Sequence, residues 1–166
     1  RRAFESRGGD PHRGARLAAA TARGVQSRDV VATPKHYVAN SQEHERTTVS
    51  AEMSERALRE LYLPAFEAAV READAGAVMT AYNRVNGVHM SEHEQLLATL
   101  KSEFGLDGPV LSDWWGVEDG LAAASAGLDL EMPGVGIVDL AAMSTEEFAG
   151  FPRLRERWPE GLPDLN

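Results

Sequence analysis

Short apolar runs alternate with helical patterns along this chain, and no other feature constrains its fold as much. The runs lie near residues 30–37, 77–83, 109–113 and 128–131. The run at 109–113 is continuous, not alternating, as expected for a strand buried on both faces of a parallel sheet. Strand–helix–strand order implies parallel pairing through right-handed crossovers, hence an α/β fold. Such strands fit either a small open sheet or half of an eight-stranded barrel.

The helical patterns carry their own punctuation. Asp10 and Pro11 make a helix start, as N-cap and first-turn proline, and Leu17, Thr21 and Val25 share one face up to about Ser27. A second helix is expected from about Glu52 to Ala73, with Leu58, Leu61, Tyr62, Ala65, Ala69 and Val70 on its apolar face. Pro64 inside it removes a backbone hydrogen bond and should kink or divide it. Ser91 to Glu94 reads as a capping box for a third helix bearing Leu96, Leu97, Leu100 and Phe104, stopped by Gly105. A fourth runs from Val117 to about Ala126 and stops at Gly127. Asn86-Gly87 marks a turn, and residues 40–50 form a polar loop longer than most βα connections.

Polar residues collect where the runs end. Lys35 and His36 end the first, Tyr82 and Asn83 the second, Asp113 and Trp114 the third, Asp129 and Glu131 the fourth. In a parallel βα array these ends share one face, where such folds place their chemistry. An aspartate there, near the cations Lys35 and Arg46 that favour its ionised form, suits a nucleophile or an electrostatic stabiliser. Trp114 and Tyr82 offer flat apolar faces with a polar edge, which match a sugar ring. Plainer readings exist for each residue. Ser112-Asp113 also fits a turn or helix N-cap, Lys35 and Arg46 fit solvated positions, and His36 fits a hydrogen-bonded structural histidine. His36, His44 and Asp113 as three metal ligands match no common metal spacing.

Composition excludes several classes. A length of 166 residues supports one domain with a core. The net charge of −9 and pI near 5.0 argue against nucleic acid or an anionic membrane as main partner. With no cysteine there is no disulfide and no thiolate chemistry. No apolar run approaches membrane-spanning length, and there is neither a Gly-rich phosphate loop nor a G-x-S-x-G elbow. Arg1-Arg2-Ala3-Phe4-Glu5 has no initiator Met and no signal-peptide pattern; it reads as an internal start that leaves the compartment open.

Several ordered motifs then coincide. They are Phe4-Glu5-Ser6 with Asp10-Pro11, Lys35 to Asn40, Gln42-Glu43 with Arg46, Glu55 to Pro64, Met79 to Asn83, Val85-Asn86-Gly87, Ser112-Asp113-Trp114 and Ala126 to Gly134. Together they resemble the N-terminal barrel domain of glycoside hydrolase family 3, in its β-glucosidase-like branch, up to Gly134. The resemblance implies a partial TIM-like (β/α) barrel of about four βα units and a retaining β-glycosidase acting on terminal non-reducing β-linked sugars. It places Asp113 at the nucleophile position, and Lys35, His36, Arg46, Met79, Tyr82, Trp114 and Arg2 around the sugar. No metal or organic cofactor is implied.

Residues 1–134 would then be part of the barrel domain, and 135–166 a poorly patterned tail. In this branch the acid/base glutamate lies on a second α/β domain C-terminal to the barrel. Glu43, Glu45 and Glu131 do not match it, so this stretch alone is expected to be inactive. An upstream sugar-binding aspartate would precede Arg1. The alternative is a non-catalytic carbohydrate-binding or relic segment of such an enzyme.

Overall fold

The structure, a computed structural model, describes residues 8–134. In chain order its elements are α1 (Pro11–Gln26), β1 (Ser50–Ala51), α2 (Glu55–Ala57), α3 (Pro64–Arg71), β2 (Val78–Met79), β3 (Arg84–Val85), β4 (Val88–His89), α4 (Glu94–Ala98), β5 (Val110–Leu111) and α5 (Gly120–Ala126). It is a mixed helix and strand fold built on a row of parallel extended segments.

β2 and β5 form the middle of that row, with Val78 opposite Val110 and Met79 opposite Leu111. On one side lies the segment around Pro34. Met79 N–H donates to Pro34 O at 3.1 Å, Tyr37 N–H to Met79 O at 2.8 Å and Ala81 N–H to Tyr37 O at 2.6 Å. Only the Tyr37–Thr80 bridge is regular there, because Pro34 has no N–H to add to a ladder. The expected first strand therefore exists as an extended edge. Val30 and Val31 fall outside its paired part and are exposed. On the other side Leu111 bridges Leu130 in parallel, and Ser112 N–H donates to Leu130 O at 2.9 Å. The four expected runs thus sit side by side in chain order.

Helix starts and stops follow local chemistry. The Asp10 carboxylate accepts from Arg13 N–H at 2.6 Å, as an N-cap should. The buried face of α1 is Gly14, Ala15, Ala19 and Ala22, however, and the expected Leu17 is 38% exposed. Small side chains let α1 approach α3 closely, and Ala15, Ala19, Ala22, Ala32, Ala68 and Ala73 form one cluster. The second helical pattern is divided at Pro64, as expected. Before it, residues 58–62 make a π-helical turn closed by Leu63 N–H on Leu58 O at 3.0 Å. The wider turn rotates the apolar face, so Leu63 is buried while the expected Leu61 is 58% exposed.

The Ser91 capping box does not form. His93 precedes α4 without a side-chain cap bond, and Ser91 and Glu92 bond elsewhere. The turn at Asn86-Gly87 forms as expected, but two strand pairings around it went unread in the sequence. Asn86 and Gly87, both at positive φ (48° and 89°), turn an antiparallel β3–β4 hairpin, consistent with a type I′ geometry. The polar loop hides β1, which pairs in parallel with β3.

The main core lies between the parallel row and α3 and α4. It contains Tyr37, Leu58, Leu63, Val70, Val78, Leu97, Leu100 and Val110, all nearly or fully buried. A fully buried leucine such as Leu97 contributes about 2 kcal/mol by removal from water. Tyr37 packs edge-on to Phe66 and donates its hydroxyl to Leu96 O at 2.9 Å, tying the first segment to α4. Burial pushes its phenol pKa well up. Among the described residues no helix is long and apolar enough to cross a membrane.

Candidate active site

Asp113 follows β5 and His36 ends the first extended segment. Their side chains meet across the middle strand, with His36 Nε2 2.9 Å from Asp113 Oδ2. Both are partly desolvated, at 13% and 16% exposure. The second carboxylate oxygen, Oδ1, accepts from Trp114 N–H at 3.1 Å. The peptide bonds Lys35–His36 and Tyr37–Val38 are cis.

Tyr82 belongs to the same cluster. Burial raises its phenol pKa first, and the charge of Asp113 beside it adds to the rise. The Arg46 guanidinium stacks over the Tyr82 ring, 4.4 Å from its centroid, and opposes that shift. Arg46 Nη1 also donates to Glu43 Oε2 at 2.8 Å. The long polar loop is therefore fixed to the strand ends by Arg46, which reaches Tyr82 while held by its own neighbour.

The other expected residues are distributed as follows. Trp114 is 55% exposed beside Asp113. Lys35 is exposed and adjacent in sequence to His36. Met79 is half-buried, with its backbone fixed between Pro34 and Tyr37. Arg2 lies outside the described residues. His44 is 85% exposed and 3.9 Å from Glu45. Among the described residues no group of three His, Cys, Asp or Glu side chains is gathered that could hold a metal, so His36, His44 and Asp113 do not form one.

Asp129 is corrected outright. Its carboxylate accepts from Val110 N–H at 2.7 Å and from Lys101 Nζ at 2.7 Å. Val110 begins β5 and Asp113 lies beyond its end, so Asp129 belongs to the opposite end of the row.

Two surfaces flank the cluster. A cavity of about 520 Å³ opens between α1, α3 and the first segment; Lys35 and His36 line it, but Asp113, Tyr82 and Trp114 do not. A small cleft of about 70 Å³ is bounded by Thr47, Tyr82, His89 and Trp115. Trp115, 67% exposed with φ of 66°, is a second aromatic beside Asp113 that the sequence reading passed over. The doubled tryptophan after the aspartate was the available signal.

Comparison with known proteins agrees in sequence and in shape. Residues 1–137 match the model of the glycosyl hydrolase family 3 N-terminal domain. The chain is 52% identical over 134 residues to the probable beta-glucosidase K of Emericella nidulans, covering 80% of this chain and 16% of that protein. It is 51% identical over 134 residues to a beta-glucosidase of Rhizobium radiobacter, with the same coverage of 80% and 16%. The solved structure of beta-glucosidase 3B from Thermotoga neapolitana in complex with alpha-D-glucose superposes with a TM-score of 0.77 at 38% identity, over 90% of this chain and 20% of that one. The chain thus spans a minor part of the relatives it matches, and within that part it belongs to the glycosyl hydrolase family 3 N-terminal domain family.

Proposed function

We propose that this chain is the nucleophile-bearing part of a retaining β-glycosidase, β-glucosidase-like, that works within a longer polypeptide. The observation that carries the reading is the Asp113 carboxylate held 2.9 Å from His36, with Trp114 exposed beside it. The relatives' names and the family membership support it. Residues 1–134 are read as part of a partial TIM-like barrel of about four βα units.

The chemistry runs in two displacements through oxocarbenium-like transition states. In the first, Asp113 attacks the anomeric carbon of a terminal β-linked sugar. The bond to the leaving oxygen breaks, and a general acid gives that oxygen a proton. In the second, water attacks the glycosyl ester, the same group takes a proton from that water, and the Asp113 carboxylate is released. The two carboxyl groups need to be about 5–5.5 Å apart. The acid/base is a glutamate supplied by a following domain of the longer polypeptide. His36, Lys35, Arg46, Tyr82, Met79 and Trp114 line the sugar, and Arg2 joins them. His36 orients the nucleophile, and Tyr82 presents an apolar face backed by Arg46.

The test is trapping. The longer polypeptide is inactivated with a 2-deoxy-2-fluoro-β-glucoside bearing a good leaving group, and the labelled peptide is mapped. Label on Asp113 is expected; label on any other residue overturns the assignment.

A further inference from the structure

Asp113 begins a tight turn whose far side is gripped by another part of the chain. Gly116 N–H donates to Asp113 O at 2.9 Å, closing the turn on the aspartate's own carbonyl. Gly116 O in turn accepts from the Ser91 hydroxyl at 2.8 Å. Ser91 is fully buried, so this bond is shielded from competing water. One residue on, Glu92 Oε1 accepts from both Glu118 N–H (3.0 Å) and Asp119 N–H (2.8 Å). Close by, His89 Nε2 lies 2.8 Å from Glu118 Oε2. On the opposite flank, Trp115 N–H donates to Met132 O at 2.8 Å, and the Ser112 hydroxyl accepts from Met132 N–H at 2.7 Å.

These bonds share one target. The side chains of Ser91 and Glu92 reach not the Asp113 carboxylate but the backbone groups at 116, 118 and 119. Without them the loop after Asp113, with a left-handed residue at Trp115, would be held only by its own turn and by Met132 on the other flank. A charged acceptor on two N–H donors is also among the stronger hydrogen-bond arrangements.

We propose that Ser91 and Glu92 are positioning residues for the nucleophile. They act through Gly116 and the 116–119 backbone to fix the direction in which the Asp113 carboxylate is delivered, and to hold Trp114 and Trp115 in place. This rests on the reading of Asp113 as the nucleophile.

The experiment compares Ser91→Ala, Glu92→Ala, Glu92→Gln and Asp113→Asn in the longer polypeptide, with steady-state kinetics on an aryl β-glucoside, the rate of 2-fluoro-glucoside trapping, and thermal melting. Glu92→Gln retains a carbonyl that can accept the same N–H donors. Ser91→Ala and Glu92→Ala are expected to lower kcat and the trapping rate together by about tenfold or more, because small displacements of a reacting group are costly, while KM moves by less than about threefold. Glu92→Gln is expected to recover most of the loss. Unchanged kcat with only a lower melting temperature overturns the inference, as does a rise in KM alone or a Glu92→Gln variant as impaired as Glu92→Ala. If Ser91→Ala does not fold, the Glu92 pair decides. Retained activity in Asp113→Asn instead overturns the functional reading beneath it.

Discussion

His36 and Asp113 meet at 2.9 Å although the segments that carry them are not neighbours in the sheet. The strand holding Val78 and Met79 lies between them. The contact therefore spans the face of the row at its C-terminal end, where the polar strand ends converge. With both side chains mostly removed from water, the imidazole restricts the carboxylate's rotamers and compensates its desolvation.

Replacing His36 with alanine should free that carboxylate. If Asp113 is the nucleophile, as proposed, kcat/KM of the longer polypeptide for an aryl β-glucoside is expected to fall by about 10- to 100-fold through lost orientation of its carboxylate. Activity within twofold of the parent would show that the contact has no part in the reaction.

Tyr82 supplies a pH signature. Its phenol pKa is raised by burial and by the Asp113 charge. The folded state thus holds the phenol proton more tightly than the unfolded chain does. The stability linked to that proton is fully present below the unfolded value of about 10 and is lost as pH rises through the higher folded value. Asp113→Asn removes one cause of the rise. The phenolate absorbance assigned to Tyr82, read as parent minus Tyr82→Phe, should appear at lower pH in Asp113→Asn. A titration that does not move would mean that the carboxylate does not act on this phenol.

How much of this was legible beforehand differs by element. The parallel row was readable because Val78, Val110 and Leu111 sit in continuous apolar runs between helix signals. His36, Asp113 and Tyr82 were readable as strand-end residues that could share a face. Period alone could not show the π turn at 58–62, since widening one turn rotates every later residue and exchanges Leu61 for Leu63. Likewise Ser91 carried a capping pattern, but a buried carbonyl at Gly116 competes for its hydroxyl and wins. Nothing local announces a partner twenty-five residues away. Asp129 was misplaced because a strand two or three residues long makes its start and its end look alike in sequence.

Asp129 should consequently behave as a structural residue. Its carboxylate satisfies the Val110 N–H at the start of β5 and pairs with Lys101. Asp129→Ala leaves that donor unsatisfied, at a cost of about 1–3 kcal/mol. The melting temperature of the longer polypeptide should fall, with kcat/KM of the folded enzyme unchanged. A specific loss of kcat/KM without loss of stability would return Asp129 to the reactive face.

Gly108 sets the approach of the two central strands. A Cβ built there would lie 1.8 Å from Gly76 O and 2.6 Å from Gly76 C. Both are backbone atoms, so no side-chain rotation relieves the overlap. Next to this point Val78 N–H donates to Pro109 O at 3.1 Å, the first bond of the β2–β5 pairing. Gly108→Ala must push these strands apart at their start, and Asp113 hangs from the far end of one of them. The substitution is expected to cost more than about 3 kcal/mol, enough to remove soluble, folded protein. Gly105 offers the contrast. It has φ of 85° with nothing within 4 Å of its Cβ position, so Gly105→Ala meets only backbone strain of about 1 kcal/mol. Soluble yield and melting temperature of the two variants, expressed side by side in the longer polypeptide, check the point. Equal yields and equal melting temperatures would mean that the close crossing at Gly76 and Gly108 does not exist in the folded protein.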